Sequence, residues 1–387
     1  MKKIRFAVVG IGRMGSVHAA HLLRGRVRGA ELVAVADISL AARERFSKKC
    51  AGRVQVFSSC EELAAAVELD AVIIAVPHYA HVPLALYFLE RGVSVLIEKP
   101  VAVTVSEAER LNAYLNANPE AVAAVMYNQR TNPVYRKAKA LTDGGALGSV
   151  RRINFIVTDW YRPQAYYNQG EWRASYAGEG GGVLINQCVH QLDILQWLTG
   201  MPAAIYAQTA SVGRRITVEN DVTAVLRYED GARCSLSASA HELNGANRIE
   251  IAGDRGRLVI GKYRMTHYSW DKSEEEVNEK TVKGYGGAKK RKRHYFYGSA
   301  RLVSDLVFGQ QIRIVKNFVN RLVCGEPLIS PAAEGIRALT LINGIYLSAW
   351  EGREITLPMD SARYDALLEE KAEAERIRLD NTKKEGI

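Results

Sequence analysis

Two widely separated stretches of the chain carry side chains that can move a proton. The first is Glu98-Lys99-Pro100, which ends an apolar run, and the second places Asn186, His190 and Asp193 on one face of a helix pattern. An imidazole that titrates near neutrality suits a general base, and a lysine ammonium stabilises a developing alkoxide. Lys99 and His190 are therefore candidate proton-transfer residues. Each alone has an ordinary alternative, as a surface lysine or a hydrogen-bonded core histidine.

A glycine-rich turn near the start of the chain predicts a nucleotide site. Gly10-Ile11-Gly12-Arg13-Met14-Gly15 follows an apolar run directly and begins an amphipathic helix pattern. In this context the glycines permit a tight turn, close approach of a pyrophosphate, and packing of helix on strand. Asp37 ends the next apolar run, where a carboxylate accepts ribose hydroxyls and repels a 2′-phosphate. We expect NAD, with NADP less favoured; a turn that serves only packing is the alternative.

The elements that must position these residues follow from the hydrophobic pattern. In the first third, apolar runs alternate with helix patterns, which predicts βαβ units and a parallel sheet. We expect these strands at 4–9, 32–36, 54–57, 71–76, 94–97 and 122–126. Later strands are expected at 150–158, 204–211, 222–228, 232–240, 248–252 and 257–260, and helices at 133–143, 182–198, 312–324 and 331–350.

This pattern predicts an α/β Rossmann domain over residues 1–128 and an α+β domain over residues 129–387. The second domain should contain a large, mostly antiparallel, open sheet, because its later strands follow one another without intervening helices. We expect its C-terminal helices to pack partly back on the Rossmann domain, and its exposed sheet face to form a homodimer or homotetramer.

The chain resembles the Gfo/Idh/MocA oxidoreductases, the glucose–fructose oxidoreductase and inositol dehydrogenase family, over nearly its whole length. The shared motifs are Gly10-x-Gly12-x-x-Gly15, Asp37, Val76-Pro77-x-x-x-His81, Glu98-Lys99-Pro100, Tyr127-Asn128-Gln129-Arg130-x-Asn132-Pro133, Trp172-Arg173, the glycines 180–182 and His190-x-x-Asp193. The resemblance implies that Lys99 and His190 are the catalytic pair and that residues 127–130 line the nicotinamide and substrate cleft.

The resulting candidate site has two parts. The cofactor part is expected to comprise Gly10, Ile11, Gly12, Arg13, Met14, Gly15, Asp37, Val76, Pro77, His78, His81, Glu98 and Lys99. The substrate part is expected to comprise Tyr127, Asn128, Arg130, Trp160, Arg162, Tyr166, Trp172, Arg173, Asn186 and Asp193. The insert at 160–168 combines rings with hydrogen-bonding groups, which suits the apolar faces and polar edges of a sugar. A packed loop is an equally good interpretation of that insert.

Two positions depart from the family pattern. Asn186 stands where many relatives carry Asp, and an amide neither accepts a proton nor supplies negative charge to the histidine. The proton relay of the inositol dehydrogenases therefore cannot be copied intact; we expect Asn186 to hold a substrate hydroxyl and Asp193 to serve as a structural partner or cap. His78-Tyr79 replaces the Asn-His that often precedes the shared His81, which leaves the contacts of that loop open.

Composition limits the other function classes. The chain has 387 residues, 48% of them hydrophobic and 24% charged, which is enough for two folded domains. Its net charge of +10 includes the run Lys289–Arg293, which we interpret as a solvated loop and not a nucleic-acid site. Five scattered cysteines indicate neither disulfides nor a metal site. Without a signal-peptide pattern or an apolar run long enough for a membrane, we expect a cytoplasmic protein.

The sequence thus predicts an NAD-dependent oxidoreductase that transfers hydride between nicotinamide and a secondary hydroxyl or ketone of a sugar, glycoside or cyclitol. One alternative is a glycoside-cleaving or epimerising enzyme whose NAD is recycled on the same molecule. Another is a sensor that kept the nucleotide site without chemistry. The retention of both Lys99 and His190 argues against the sensor.

Overall fold

The computed structural model describes residues 3–170, 172–306 and 308–384. The chain forms two compact units. The first contains the described residues up to Asn128 together with 178–180 and 308–339. The second contains the described residues of 129–177, 181–307 and 340–387.

The N-terminal part of the chain alternates strands with helices. Its elements are β1 (Ile4–Val9), α1 (Arg13–Leu23), β2 (Ala30–Ala36), α2 (Leu40–Cys50), β3 (Gln55–Phe57), α3 (Cys60–Ala66), β4 (Ala71–Ile74), α4 (His81–Leu89), β5 (Ser94–Ile97), α5 (Val105–Ala117) and β6 (Ala123–Val125). The strands form one parallel sheet in the order β3-β2-β1-β4-β5-β6. This order confirms the predicted Rossmann fold, whose strand order reverses beside β1 and β4.

The remaining elements complete the chain. They are α6 (Pro133–Asp143), β7 (Val150–Val157), α7 (Gln164–Tyr167), α8 (Val183–Asn186), α9 (Val189–Thr199), β8 (Ala204–Ala210), β9 (Asp221–Arg227), β10 (Arg233–Ser239), β11 (Asn247–Gly253), β12 (Gly256–Gly261), β13 (Arg264–Trp270), α10 (Glu274–Lys280), β14 (Lys290–Phe296), α11 (Ser299–Leu306), α12 (Gly309–Cys324), α13 (Gly335–Glu351), β15 (Ile355–Thr356) and α14 (Ser361–Lys384). Of these, α12 and the first residues of α13 belong to the first unit.

Burial explains the first unit. Residues 71–74 of β4 are completely buried, as expected for a central parallel strand covered on both faces. Helix α12 contributes to the same core, and the Phe318 ring lies 6.2 Å from that of Phe6 on β1. Helix starts are set by side-chain caps: Ser39 accepts from the N–H of Ala42, and Thr104 from that of Glu107.

The second unit is built on a nine-stranded sheet in the order β14-β13-β12-β11-β7-β10-β9-β8-β15. Every pairing among these described strands is antiparallel except that of β7 with β10. One sheet face is apolar and buried, with Phe155, Leu236 and Ile251 among its residues. The alternate residues of β8, β9 and β10 are mostly exposed, so the sheet is open on its other face as predicted.

The basic run at Lys289–Arg293 is not a loop, which corrects that expectation. Residues 290–296 form the edge strand β14, which pairs antiparallel with β13. Strand β13 was also missed from sequence, so the partner that makes the basic run a strand was absent from the prediction. All four basic residues of β14 are exposed, and charged edge strands resist pairing with further strands.

Two predicted helices have different bounds. The helix expected at 182–198 is interrupted, because α8 ends at Asn186 and α9 begins at Val189. The helix expected at 331–350 begins only at Gly335, after a short 3₁₀ turn at 332–334. Among the described residues, no helix combines the length and apolar character needed to cross a membrane.

Candidate active site

The glycine turn joins β1 to α1 and is shaped by its neighbours. Gly10 has a φ of +81°, and a Cβ there would lie 2.4 Å from the Ala75 carbonyl oxygen. A Cβ on Gly15 would lie 1.7 Å from the Gly10 carbonyl oxygen. These two positions therefore require glycine because of the protein's own packing.

Gly12 is different, since a Cβ there would meet no described atom within 4 Å. It is the N-cap of α1, and within the described residues no side chain caps this helix and no acidic residue lies in its first turn. The exposed N–H groups and the positive end of the helix dipole are what a pyrophosphate binds. The open space at Gly12 fits a dinucleotide that approaches the backbone there.

Asp37 closes the other side of this turn. Its Oδ2 accepts from the Ile11 N–H (2.7 Å) and its Oδ1 from the Ser39 N–H (2.8 Å). A carboxylate has further lone pairs, so these two bonds leave acceptor capacity for ribose hydroxyls. The Arg43 guanidinium donates to the carbonyl oxygens of Asp37 (2.7 Å) and Ile38 (3.0 Å).

The loops after β4 and β5 are held together by His81. Its ring nitrogens lie 2.9 Å from the Val76 carbonyl oxygen and 2.6 Å from that of Pro100. The ring is buried, and burial lowers the pKa of His81. His78 is also buried and donates from Nδ1 to the Glu179 carbonyl oxygen (2.8 Å). His81 thus fixes the backbone that follows β4 and β5, and His78 contacts the backbone of Glu179. Val76 is half-buried and Pro77 is exposed.

Lys99 follows β5 at this edge and is half-buried. The neighbouring Glu98 is buried and accepts from His18 Nε2 on α1 (2.6 Å). Its other oxygen accepts from the Lys99 N–H (3.2 Å). The contact between Glu98 and His18 therefore ties the backbone next to Lys99 to α1, the helix that follows the glycine turn.

The segment at 127–130 meets different partners within its two units. In the first unit, Tyr127 is fully buried, and the Asn128 amide donates to Gln310 on α12 (3.3 Å). In the second unit, Arg130 makes a two-pronged ion pair with Asp193, at 2.8 Å from Nε and 2.7 Å from Nη2. Both side chains of this pair are almost fully buried. Asp193 is thus paired with Arg130, and its assignment as a substrate residue or as a structural partner stays a prediction.

Tyr166 is the centre of the aromatic insert. Its hydroxyl oxygen accepts from Arg173 Nη1 (2.9 Å), Gln187 Nε2 (3.2 Å) and Asn186 Nδ2 (3.3 Å). The guanidinium groups of Arg162 and Arg173 lie 4.7 and 4.9 Å from its ring centroid. Four of the predicted substrate residues are therefore brought together within the second unit.

The two tryptophans continue this arrangement. The Arg162 guanidinium lies 5.3 Å from the Trp160 ring, and that of Arg173 lies 4.5 Å from the Trp172 ring. Each arginine thus lies between two aromatic rings, where cation–π attraction orders its side chain. The result is an aromatic and cationic surface with planar faces and hydrogen-bond donors.

The helix break separates Asn186 from His190 and Asp193, although all three were expected on one continuous helix face. Asn186 ends α8 and contacts Tyr166, whereas Asp193 on α9 contacts Arg130. His190 is the second residue of α9 and is half-buried. Amide and carboxylate therefore fix neighbouring segments on either side of His190.

Sequence reasoning missed three residues that support this site. His18 holds Glu98, Gln310 contacts Asn128, and Glu219 accepts the Leu184 N–H at the start of α8. His18 lies one helical turn after Gly15, so its place on the buried face of α1 was a detectable signal. The other two contacts join residues 182 and 35 positions apart, for which the sequence holds no local signal.

The fold and the glycine turn together define a dinucleotide-binding protein of the Rossmann class. The family model for an oxidoreductase family with an NAD-binding Rossmann fold matches residues 4–126. The model for the GFO/IDH/MocA C-terminal domain matches residues 135–259. The chain belongs to the Gfo/Idh/MocA oxidoreductase family, as the resemblance predicted.

Individual relatives agree with this assignment. Inositol 2-dehydrogenase of Rhizobium meliloti (strain 1021) is 28% identical over 67% of this chain and 76% of its own length. The NAD⁺-dependent scyllo-inositol 2-dehydrogenase of Bacillus subtilis (strain 168) is 27% identical over 68% of this chain and 76% of its own length. A solved structure of the WlbA dehydrogenase from Bordetella pertussis, in complex with NADH and UDP-GlcNAcA, is 26% identical with a TM-score of 0.75. The match covers 93% of this chain and 100% of the WlbA chain.

Proposed function

We propose that this enzyme uses NAD to oxidise a secondary hydroxyl of a sugar, glycoside or cyclitol, or reduces the corresponding ketone. The cluster around Tyr166 carries this proposal, because it combines rings with amide and guanidinium donors at Asn186 and Arg173. Such a surface suits a pyranose or cyclitol, whose faces are apolar and whose edges are hydroxylated. Relatives named for inositol and a solved relative with a bound nucleotide sugar support the same class.

His190 is proposed as the base that takes the hydroxyl proton. The half-buried imidazole lies at the start of α9, and histidine is the side chain most often used as a general base. Asn186 cannot serve as its charged partner, so the proton leaves His190 without a second carboxylate at that position. Asn186 instead orients a substrate hydroxyl.

Lys99 is proposed as the group that hydrogen-bonds the same oxygen and stabilises its developing negative charge. The His81 and His18 contacts fix the backbone on both sides of Lys99. Pre-organised cationic groups stabilise an alkoxide without moving during the reaction, which is why such backbone fixation matters.

Residues of the first unit would hold the cofactor. The N–H groups at Gly12 and the start of α1 would bind the pyrophosphate, and Asp37 would accept from the adenosine ribose. When bound, NAD supplies the hydride acceptor. Protein residues at the carboxyl edge of the sheet then provide the donors and acceptors around it.

We also propose that the enzyme forms a homodimer or homotetramer through the open face of its nine-stranded sheet. Tyr206 and Val225 are directly paired on β8 and β9, and both are more than 40% exposed. Ile156 on β7 adds a further exposed apolar side chain to this face. Light scattering of wild-type protein and of Val225→Glu tests this: a monomeric wild-type protein overturns the proposal, and dissociation of the variant supports it.

The substrate proposal is tested by absorbance at 340 nm with NAD and, separately, NADP. The panel contains free sugars, glycosides, inositols and small hydroxy acids. Reduction of NAD with a polyol supports the proposal and identifies the alcohol class. Reduction with hydroxy acids alone contradicts it, and silence despite measurable NAD binding would favour internally recycled cofactor or a sensor.

A further inference from the structure

The turn that enters α8 is held by one buried carboxylate. Glu219 Oε2 accepts from the Gly182 N–H (3.0 Å), and Oε1 accepts from the Leu184 N–H (2.9 Å). The Glu219 backbone carbonyl accepts from the intervening Val183 N–H (3.1 Å). Three successive N–H groups at this helix start thus find their acceptors on a single residue.

Glu219 and Tyr346 also pack closely against the glycines of this turn. A Cβ on Gly182 would lie 1.9 Å from the Glu219 carbonyl oxygen, and one on Gly181 would lie 2.1 Å from the Tyr346 hydroxyl. The Gly182 N–H also donates to that hydroxyl (3.0 Å). Glycines at 181 and 182 are therefore required for Glu219 and Tyr346 to reach the backbone.

A hydrogen-bond chain leads from Glu219 to the candidate substrate residue. The Asn186 N–H donates to the Gly182 carbonyl oxygen (3.2 Å), and the Gly182 N–H donates to Glu219. Helix α8 has only four residues, so it has little internal rigidity of its own. His190 follows Asn186 by four positions and begins the next helix.

We propose that Glu219 is a positioning residue for the dehydrogenase centre, acting through the Gly182 turn on Asn186 and, beyond it, on His190. This inference rests on the proposed function, because it assigns a role in the same reaction. Glu219 lies on neither helix and comes from the segment before β9, so it fixes α8 from outside.

Glu219 is also placed to respond to pH. Glu219 is buried, with a relative exposure of 3%. Burial raises its pKa to about 7, although the hydrogen bonds from the N–H donors and Tyr346 act in the opposite direction. Among the described residues, those whose pKa is influenced by Glu219 are Tyr167, Tyr176, Cys188 and Tyr346. Burial raises the pKa of each, so all four stay neutral near pH 7.

The two protonation states hold the turn differently. As a carboxylate, Glu219 accepts charge-assisted bonds on both oxygens, and such bonds are the stronger kind. As an acid, one oxygen carries a proton and loses acceptor capacity toward the N–H that faces it. The carboxylate is therefore the state that positions Asn186 and His190 for turnover.

The test begins with Glu219→Gln, in which the amide nitrogen faces one of the two N–H donors. We expect kcat to fall about tenfold to a hundredfold with NAD affinity unchanged, as for a small displacement of catalytic groups. Glu375→Gln is the matched control, since Glu375 is a buried carboxylate that accepts the Ala177 N–H (3.0 Å) and a bond from Thr217. It should lower stability and leave kcat per folded molecule unchanged.

The pH profile separates positioning from mere stability. In the wild-type enzyme, a plot of log kcat against pH should rise with a limiting slope approaching about 2, because both His190 and Glu219 must lose a proton. In Glu219→Gln the slope should approach about 1.

A second variant serves if Glu219→Gln fails to fold. Tyr346→Phe removes a hydrogen-bond donor to the Glu219 carboxylate and should move the Glu219 ionisation to higher pH. Wild-type kcat and slope in a folded Glu219→Gln, or no displacement of the ionisation in Tyr346→Phe, would overturn the proposal.

A readout independent of turnover keeps this inference distinct from the proposed function. Histidine-selective labelling reports the His190 ring resonances, which should follow the Glu219 ionisation in wild-type protein and lose that component in Glu219→Gln. If they do so while no polyol is oxidised, the proposed substrate fails and Glu219 still positions His190. If a polyol is oxidised and the resonances of wild-type and variant titrate identically, the role of Glu219 is refuted alone.

Discussion

The Asp37 carboxylate accepts a hydrogen bond from the Ile11 N–H at 2.7 Å, which joins the end of β2 to the glycine turn after β1. One side chain thereby holds the turn. In the proposed cofactor arrangement, this contact would couple the pyrophosphate and adenosine parts of the site. Changes at Asp37 should consequently affect cofactor choice as well as affinity.

Asp37→Ala is expected to weaken NAD binding at least about tenfold, or about 1.4 kcal/mol, because the ribose loses its acceptor. NADP binding should change less, so the NAD-to-NADP affinity ratio should fall. Titration of both cofactors by fluorescence checks this. Ser39→Ala is the control, since it removes only the α2 cap, and an unchanged ratio in Asp37→Ala would refute the assigned role.

The glycines of the turn should separate binding from stability. Gly12→Ala adds a methyl group that meets no described atom, so the free energy of unfolding should change by less than about 0.5 kcal/mol. NAD affinity should nevertheless fall strongly, because the methyl group occupies the space of the pyrophosphate.

Gly15→Ala is the matched variant and should behave oppositely, losing about 1–3 kcal/mol of stability from the clash with the Gly10 carbonyl oxygen. Urea unfolding and NAD titration measure both quantities. Normal NAD binding by Gly12→Ala would show that the dinucleotide does not approach the turn there.

Asp193→Ala tests whether this carboxylate serves structure or substrate. It removes one partner of the buried Arg130–Asp193 ion pair, and we expect a loss of about 3–5 kcal/mol in the free energy of unfolding. Asp143→Ala removes the exposed pair with Lys139 on α6 and should cost less than about 1 kcal/mol. If Asp193→Ala kept its stability and only raised KM, Asp193 would be a substrate residue instead.

His21 should make stability depend on pH in the acid range. Burial lowers its pKa from 6.5 to about 4, so the unfolded chain binds this proton first as pH falls. Stability should therefore decrease as pH falls from 6.5 to about 4, and His21→Gln should flatten this dependence. Urea unfolding across this range checks the expectation. His294→Gln, at an exposed position, should show the same pH dependence of stability as the wild-type protein. If His21→Gln also kept the wild-type pH dependence, the assignment to His21 would be wrong.

Local patterns were sufficient for much of the nucleotide unit. The glycine turn, Asp37 and the six parallel strands each follow from residues close in sequence, and the structure has those strands within a few residues of the expected bounds. Strand β14 was missed because its partner β13, and not its own basic composition, makes it a strand. The helix break before Val189 was missed because the apolar spacing continues through it.

The second layer of the site depended on contacts that no spacing shows. Glu98 meets His18 across 80 positions, and Arg130 meets Asp193 across 63. The sequence shows the types of these four residues, but it does not show which residue pairs with which. Such pairs decide whether a motif residue binds a ligand or holds the backbone that does.

The proposed catalytic pair predicts a separation of chemistry from cofactor binding. Lys99→Ala and His190→Ala should each lower kcat more than about tenfold, since general acid–base groups contribute at least that much. NAD affinity should remain close to wild type, because neither residue contacts the pyrophosphate or adenosine in the proposed arrangement. Stopped-flow turnover and NAD titration check both parts, and wild-type turnover in both variants would refute the pair.

Hydride transfer from a carbinol carbon to NAD is tested most directly by following an isotope label. The best polyol of the substrate panel would carry deuterium at the reacting carbon, and the nicotinamide product would be analysed by NMR. We predict NADH with deuterium at C4 and a slower turnover of the deuterated polyol. In His190→Ala, the labelled NADH should form more than about tenfold more slowly. Product formed with no deuterium in the nicotinamide, or with the label released to water, would contradict it.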